Sequence, residues 1–576
     1  MSTRTKTGLE ILQAAALMGV LGNLLLRVPP WGLSAFLFVT AFVAALLMLM
    51  KRRRPELLTK TTIALTGAMV FFSSMYLFRA SSELLVFDTF AIIGLMGVII
   101  LVNFDVKAHI AGAFHYVAGI VWAGITSVFG SIALLAVDID WNAMPGNNWS
   151  RHIFSALRGI AIALPLILIF GGLFMAADAA FEGLVNNAFN FNIETVVSHV
   201  VLTSLFAWLT AGYFRGVITR FPVDLAATAD SVDAETKSSE SGTSFVDKVA
   251  AEPADTSASL PDNATILEHI NRSDPPNMVT ANTDKKVDWQ NFDNSKIPPA
   301  FTLGTVETVI ILGLVDLLFL AFVTIQVPYL FGGMDLVQTT PDFKLADYAR
   351  RGFGELVTVA TLVLPMLLSS HWLLRRESGK TENIFKVLAG VQIGLLFVIM
   401  ASAAQRLLLL TGELGYGMTT VRFYPMVFMI WLAVVFAWFA LTVLRGGRNY
   451  FAWGALWSAV VILGATNLMN PDAFIARTNI NLMQQGRDFD VLYNSNLSDD
   501  AIPILFDGLP SMNPHDQCRV AFRLYHRSLE SDMERDLRSW NLSRSTARGL
   551  MAEYLPPVAK EVTMDGCPNT DLPAPF

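Results

Sequence analysis

Twelve long apolar blocks restrict the possible folds of this sequence more than any other feature. A helix needs about 20 apolar residues to cross roughly 30 Å of hydrocarbon, and most of the blocks approach that length. Only helices and closed barrels satisfy their backbone hydrogen bonds in lipid. The blocks are too long, and alternate too little, for the strands of a membrane barrel. The sequence therefore predicts an all-α protein, a polytopic transmembrane helical bundle.

The composition supports a membrane protein. Of the 576 residues, 53% are hydrophobic and only 15% are charged, whereas an average soluble domain has roughly 25% charged residues. So few charges cannot cover a water-facing surface. The predicted spans are Leu9–Leu26, Trp31–Met50, Thr61–Phe78, Leu84–Val102, Ala113–Val137, Ile160–Ala176, Thr195–Tyr213, Leu303–Val323, Leu356–Leu374, Phe385–Ala404, Tyr424–Leu444 and Phe451–Leu468.

Basic residues in short loops predict the orientation of the spans, because such loops tend to stay in the cytoplasm. The run Lys51–Arg54 places the end of the second span, and hence the N-terminus, in the cytoplasm. Arg375 and Arg445 mark cytoplasmic ends in the second half and place the C-terminus outside. The N-terminus and the linker after residue 222 are both assigned to the cytoplasm, so an even number of crossings must separate them. The seven blocks before residue 222 must therefore make six crossings. We therefore predict eleven crossings, with the polar block Ala113–Val137 re-entrant or lying along the interface.

The sequence divides into four parts. Residues 222–299 are polar and acidic with few aromatic residues, and such a composition cannot bury enough apolar surface to fold. We predict a disordered cytoplasmic linker there, between an N-terminal transmembrane half (1–221) and a C-terminal transmembrane half (300–469). Residues 470–576 are polar with a helical pattern, and they predict a small, mainly helical extracytoplasmic domain.

Both cysteines of the chain, Cys518 and Cys567, lie in this last part. A disulfide between them can persist if that part faces an oxidising compartment. It would close a loop of about fifty residues and stabilise the fold by roughly 4 kcal/mol in the chain-entropy model. We predict this disulfide, and two unpaired thiols are the alternative.

One carboxylate, Asp316, lies inside the apolar run ILGLVDLLFLAF. An ionised carboxylate at the centre of a membrane helix costs about 2.5–3.5 kcal/mol, so it is usually paired, protonated or next to water. We predict an intramembrane polar network in which Asp316 pairs with Arg406 or Arg422, and which Glu307 and Gln392 can join. The pair either fixes the packing of the helices or couples a proton or ion to transport. A third alternative is a short helix that places Asp316 near the headgroups.

Polar residues also collect at the predicted outer ends of the second-half spans. These residues, which we call the outer-face cluster, are Tyr348, Arg350, Arg351, Glu355, Glu413, Tyr416, Thr419, Asn467, Asn470 and Asp472. Such a cluster can bind an external ligand, or it can form the surface on which the C-terminal domain docks. We favour docking, because the predicted topology places both on the same face.

Catalytic motifs are absent from the sequence: it contains no P-loop, HExxH, CxxC or GxSxG motif. We therefore predict no catalytic residue, no metal site and no cofactor. The expected partners are the lipid bilayer and either an envelope protein or a small extracytoplasmic ligand, and no nucleic acid.

Several segments occur in an order that resembles a bacterial family. They are RGIAIALPLILIFGGLFMAADAAF, ETVIILGLVDLLFLAFVTIQVPYLFGG, DYARRGFGELV, GYGMTTVRFYPMVFMIWL, NPDAFIARTNINL and SDDAIPIL. Over roughly residues 150–510 they resemble the multi-pass membrane proteins filed under the domain of unknown function numbered, in words, four-one-seven-three. The resemblance implies a bacterial inner (cytoplasmic) membrane and no particular activity. The long acidic linker is a departure from the family pattern.

The leading functional hypothesis is a non-enzymatic envelope sensor, scaffold or accessory protein. The alternative is a secondary transporter of a small solute or ion that uses Asp316. A membrane-embedded enzyme acting on lipid or glycan carriers, with Asp316, Glu413 or Asp472 as acid or base, is the least favoured.

Overall fold

The computed structural model describes most of the chain as helix. Its described residues are 2–104, 106–141, 193–219, 302–331, 353–374, 379–412, 417–446, 450–531 and 536–554. Within these ranges the only extended pairing is an isolated bridge between Leu303 and Leu374. The all-α prediction is therefore confirmed, and the described helices belong to one compact unit.

Eleven described helices are long and apolar enough to cross a membrane. They are α1 (Thr3–Leu26), α2 (Leu33–Arg53), α3 (Lys60–Phe78), α4 (Ser82–Ile99), α5 (Ala113–Ala133), α6 (Ile193–Ile218), α7 (Thr305–Phe331), α8 (Phe353–Leu373), α9 (Gly379–Thr411), α10 (Thr420–Thr442) and α11 (Phe451–Met469). This confirms the multi-pass prediction. The predicted span Ile160–Ala176 and the predicted linker 222–299 lie outside the described residues.

The polar C-terminal part also folds into helices, which have between 5 and 18 residues. They are α12 (Pro471–Gln484), α13 (Val491–Ser495), α14 (Ile502–Gly508), α15 (Pro514–Ser531) and α16 (Leu542–Tyr554). Asn470 separates α11 from α12, with a left-handed backbone (φ 59°) and a side chain that accepts a hydrogen bond from the Ala473 amide. Pro471 then occupies the first helical turn, where its missing N–H costs nothing. The chain therefore turns sharply as it leaves the bundle.

The transmembrane helices pack around two apolar cores. The first core joins side chains of α1–α6, for example Met18, Phe72 and Phe214. The second joins side chains of α7–α10, for example Phe385 and Phe436. Helix α11 contributes to both, because Trp453 and Trp457 pack against the first core while Phe451 is buried in the second. The two halves of the bundle are therefore held together by a shared helix.

The bundle has two ends, which we name by what lies there. At the N-terminal end, Asp138 forms ion pairs with Arg4 of α1 (2.6 Å) and Arg215 of α6 (2.5 Å). At the same end, Arg54 donates to the Asn103 side chain (2.5 Å). The opposite end is covered by the C-terminal helices, and we call it the capped end. Helices α1, α3, α7, α9 and α11 run toward the capped end, and the other transmembrane helices except α5 run back.

Helix α5 begins and ends at the N-terminal end. Near its start, the Tyr116 hydroxyl donates to the carbonyl of Ala108, nine residues after the end of α4. Just beyond its end, Asp138 pairs with Arg4 in the first turn of α1. Although α5 has the length and composition of a span, it does not run from one end of the bundle to the other. This geometry agrees with its interpretation as a re-entrant or interfacial segment.

Candidate functional site

The capped end is where the C-terminal helices bind the turns between transmembrane helices. At the end of α3, the Asn541 side-chain amide donates to the carbonyls of Tyr76 (2.8 Å) and Arg79 (2.7 Å). The Ser543 hydroxyl donates to the carbonyl of Phe78 (2.8 Å). The last carbonyls of a helix have no partner within the helix. Asn541, which is only 1% exposed, therefore completes the end of α3.

The start of α4 is bound by a carboxylate of the same domain. One oxygen of Asp500 accepts hydrogen bonds from the amides of Ala80 (2.7 Å) and Ser81 (3.0 Å), which lead into α4. The other oxygen lies within hydrogen-bond distance of the Ser543 hydroxyl, which shares its single proton between Asp500 and the Phe78 carbonyl, and 3.9 Å from the Arg79 guanidinium. A negative charge is favourable at a helix N-terminus, where the amides are unpaired and the helix dipole is positive. Asp500 and Asn541 thus bind both sides of the α3–α4 turn.

A second contact joins the α1–α2 turn to the segment before α16. The Leu33 amide donates to the carbonyl of Trp540 (2.8 Å). A Cβ atom on the neighbouring Gly32 would lie 2.2 Å from that carbonyl oxygen. Only glycine therefore allows the two backbones to approach this closely.

A third contact binds the loop between α9 and α10. The Asn479 side chain accepts from the Met418 amide (2.6 Å) and donates to the Met418 carbonyl (3.0 Å). It also donates to the side chain of Asn494 (2.9 Å). The Thr420 amide donates to the Tyr493 hydroxyl (2.7 Å), where α10 begins. One buried asparagine therefore holds the backbone of this loop against α12.

Two further carboxylates are buried close to this surface. Asp472 is 2% exposed, and one of its oxygens accepts from the Ser498 amide (3.1 Å). Burial raises the pKa of Asp472, although the hydrogen bonds from Ser498 oppose the rise. Asp88 of α4 is fully buried and accepts from the Asn467 side chain of α11 (2.8 Å). For each carboxylate, the second oxygen has no hydrogen-bond partner within the part of the chain described by the structure.

A pocket of about 430 Å³ lies between α3, the end of α11 and the C-terminal helices. Its apolar lining includes Met75, Phe78 and Leu468. Its charged side chains already have partners: Arg79 donates to the carbonyl of Asn467 (2.6 Å), and Asp499 pairs with Arg527 (2.8 Å). The volume is within the range of small-molecule sites, roughly 300–1,000 Å³.

The outer-face cluster is only partly within the described residues. The structure places Thr419, Asn467, Asn470 and Asp472 at the capped end, where they adjoin the C-terminal helices. Glu355 lies in the first turn of α8 and is exposed. The remaining members, which lie outside the described ranges, are Tyr348, Arg350, Arg351, Glu413 and Tyr416.

Sequence reasoning missed Asp88, Asp500 and Asn541. Asp88 carried a usable signal, because it is an acidic residue inside an apolar block, as Asp316 is. Asp500 and Asn541 carried none, since their partners are backbone groups more than 400 residues away in the chain.

The predicted ion pair of Asp316 is wrong. Asp316 is 7% exposed, and neither of its carboxylate oxygens has a hydrogen-bond partner among the residues in the structure. Arg422 instead donates to the carbonyl of Gly417 at the capped end. Glu307 is exposed in the first turn of α7 and does not join Asp316.

The register of α7 and α9 explains why Arg406 cannot reach Asp316. The hydroxyls of Thr305 and Thr381 are 2.6 Å apart, so the two helices start at the same level. Asp316 lies eleven residues after Thr305, and Gln392 lies eleven residues after Thr381. Each is therefore roughly 16 Å along its helix, whereas Arg406 lies about 21 Å beyond Gln392. The prediction failed because α9 begins several residues before the apolar block that was used to place Arg406.

One family model matches this chain. The model, described as Domain of unknown function (DUF4153), matches residues 63–240 and 278–507, which is more than half of the sequence. The chain belongs to the DUF4153 family. The predicted family number, four-one-seven-three, is therefore wrong, whereas the prediction of an uncharacterised domain family is confirmed. No curated protein and no solved structure matches the chain.

The DUF4153 match divides the candidate site. Asp88, Asp472 and Asp500 lie within the matched residues, as do Asp316 and Gln392. Asn541 and Ser543 lie beyond them. The family model therefore includes the surface that is covered, but not the α16 segment that contributes to covering it.

The described residues include one of the two cysteines and no group of metal ligands. Cys518 lies on α15, whereas Cys567 lies outside the described residues, so the disulfide stays a prediction. In the described ranges, no three His, Cys, Asp or Glu side chains form a group that could hold a metal ion.

Proposed function

We propose that this DUF4153 protein is a non-enzymatic membrane protein of the bacterial inner membrane that acts as an envelope sensor or accessory protein. In this proposal its C-terminal helices form an extracytoplasmic domain that binds the outer ends of its own transmembrane helices. The observation that carries the proposal is the set of side chains that bind backbone groups at the α3–α4 and α9–α10 turns, namely Asn541, Asp500 and Asn479.

The distribution of basic residues supports this orientation. Lys51, Arg52 and Arg53 form the last turn of α2, at the N-terminal end of the bundle. Arg445 follows α10 at the same end. Because basic residues near span ends tend to stay in the cytoplasm, this distribution supports an extracytoplasmic location for the capped end.

The pattern of contacts supports a sensing or accessory role. The C-terminal helices bind turns from both halves of the bundle, so a ligand or envelope protein that favours the docked domain also favours one arrangement of the helices. A ligand shifts such an equilibrium only by its difference in affinity for the two states. The pocket beside Arg79 adjoins this interface, so a ligand bound there can have different affinities for the docked and undocked states.

The proposal is tested by complementation in a strain that lacks the protein. Wild type and Ser545→Ala, an exposed position on α16, should restore growth under envelope stress. Asn541→Ala should not restore it at an equal level of protein in the membrane. If the strain that lacks the protein tolerates envelope stress as well as its parent does, the proposal is wrong.

Secondary transport is the second candidate, and one observation favours it. Asp316 is buried inside a membrane helix without a partner in the described part of the protein, as coupling carboxylates in transporters often are. Uptake assays in proteoliposomes distinguish the two candidates. Transport requires solute accumulation that Asp316→Asn abolishes and that Asn541→Ala leaves in place.

A further inference from the structure

We propose that Asp316 of α7 and Gln392 of α9 form a binding site for one monovalent cation, either a proton or an alkali-metal ion. The site lies inside the bundle and is separate from the capped end. It goes beyond the proposed function, because a domain that docks on the ends of helices does not need a charge inside them.

The two side chains share one level of the bundle. The contact between Thr305 and Thr381 fixes the start of both helices, and eleven residues separate each threonine from the polar side chain above it. Asp316 lies on the buried face of α7 with Leu312 and Phe319. Gln392 lies on the buried face of α9, and both faces belong to the same apolar core. A helical rise of 1.5 Å per residue places both side chains roughly 16 Å from the threonines.

Among the residues that the structure describes, all four polar atoms of the pair lack a hydrogen-bond partner. Asp316 is 7% exposed and Gln392 is fully buried. Both carboxylate oxygens, the amide oxygen and the amide nitrogen are buried without a hydrogen-bond partner among the described residues. Buried polar side-chain atoms in proteins are nearly always hydrogen-bonded. Two such side chains at one level of an otherwise apolar core therefore point to a ligand that both can bind.

The chemistry of the atoms selects a monovalent cation. Three of the four atoms are oxygen acceptors, and oxygen ligands suit hard cations. A single carboxylate neutralises a single positive charge, whereas a divalent ion would leave a net charge inside the apolar core. With a proton, Asp316 becomes a neutral carboxyl group that can donate to the amide oxygen of Gln392 after a change of side-chain rotamer. With an alkali-metal ion, both side chains supply oxygen ligands.

Other charged groups on the packed helices lie away from this level. Glu307 is exposed at the start of α7, and Glu382 pairs with Lys386 (2.7 Å) near the start of α9. Arg406 is about 21 Å further along α9. On α8, Glu355 is exposed and His371 packs against Phe385 near the N-terminal end. In the described part of these three helices, Asp316 is therefore the one ionisable side chain at the level of Gln392.

The test measures the thermal stability of the purified full-length protein by its tryptophan fluorescence. One arm compares sodium or potassium chloride with N-methylglucamine chloride at fixed pH and ionic strength. The other arm lowers the pH from 8 to 6 in N-methylglucamine chloride. We expect the melting temperature to rise by about 2 °C or more in one arm, because a ligand that binds only the folded state stabilises it.

The variants assign the response to the pair. The melting temperature of Asp316→Asn should be at least as high as that of the wild type with its cation bound. It should no longer change with the added cation or with pH. Glu307→Gln, which removes an exposed carboxylate from the same helix, should respond as the wild type does. Gln392→Leu should raise the half-maximal cation concentration about tenfold, and it carries the test if Asp316→Asn does not accumulate.

The outcomes are decisive in both directions. A response in the alkali-metal arm identifies a metal ion, and a response in the pH arm alone identifies a proton. A wild type that responds in neither arm overturns the proposal. So does a response that persists in Asp316→Asn, or a half-maximal cation concentration that Gln392→Leu leaves unchanged.

Discussion

Single side chains hold the C-terminal helices against the bundle, and most of them bind backbone rather than other side chains. Asn541 binds two carbonyls, Asp500 binds two amides, and Asn479 binds one amide and one carbonyl. Each of the three is at most 7% exposed. Removing one partner of a buried hydrogen bond leaves the other unsatisfied, so the loss exceeds the net value of the bond itself.

Asn541→Ala should weaken docking by about 1–3 kcal/mol, because it leaves the carbonyls of Tyr76 and Arg79 unsatisfied. Hydrogen exchange of the α16 amides measures this, and their exchange should speed up by roughly 5- to 150-fold. Ser545→Ala on the same helix is the control and should leave the exchange unchanged. Equal exchange in Asn541→Ala and wild type would show that the two bonds do not hold the domain.

Asp472 should make docking sensitive to pH. Its pKa is raised above the ordinary value of 3.8, first by burial, so the folded state binds the proton more tightly than the unfolded state does. The stability of the C-terminal helices should therefore fall as the pH rises from 3.8 through the raised value.

Melting curves across that range measure the slope. Asp472→Asn should flatten it, and Asp507→Asn, at an exposed position of α14, should not. A slope that is unchanged in Asp472→Asn would assign the pH dependence to another group.

At the scale of helices, what could be predicted depended on whether a property is local. The length and composition of a block fix a helix, so α3 and α11 occur within one or two residues of the predicted spans. The positions of Asp316 and Arg406 along the bundle axis depend on the register between α7 and α9. The contact between Thr305 and Thr381 sets that register. No single segment encodes that register. The same reason hides the partners of Asp500, which become neighbours only after the domain docks.

The α1–α2 turn gives a prediction at this scale. Gly32→Ala should push the Trp540 backbone away, because the new Cβ would lie 2.2 Å from its carbonyl oxygen. The expected cost is about 1–3 kcal/mol, typical of overpacking. Limited proteolysis of the C-terminal helices should become faster in this variant.

Gly67→Ala in α3 is the matched control, since a Cβ there has nothing within 4 Å. Alanine favours helix over glycine, so this variant should be at least as stable as the wild type. If proteolysis becomes faster in both variants, the faster cleavage of Gly32→Ala is not caused by its contact with Trp540, and the prediction is wrong.

At the scale of the whole molecule, the basic residues Lys51–Arg53 lie at the N-terminal end of the bundle, and the C-terminal helices cover the opposite end. If the capped end is extracytoplasmic, the predicted disulfide between Cys518 and Cys567 forms there. Maleimide labelling of intact cells should then find both thiols protected until a reductant is added. Labelling without reductant would contradict the disulfide, and labelling only after lysis would contradict the orientation.

Helix α11 has a consequence for how the protein would respond to being cut. Trp453 and Trp457 are anchored in one core and Phe451 in the other, so neither half can dissociate without exposing aromatic surface that both share. Scission of the chain between residues 240 and 278 should leave two fragments that co-purify and denature in a single cooperative step.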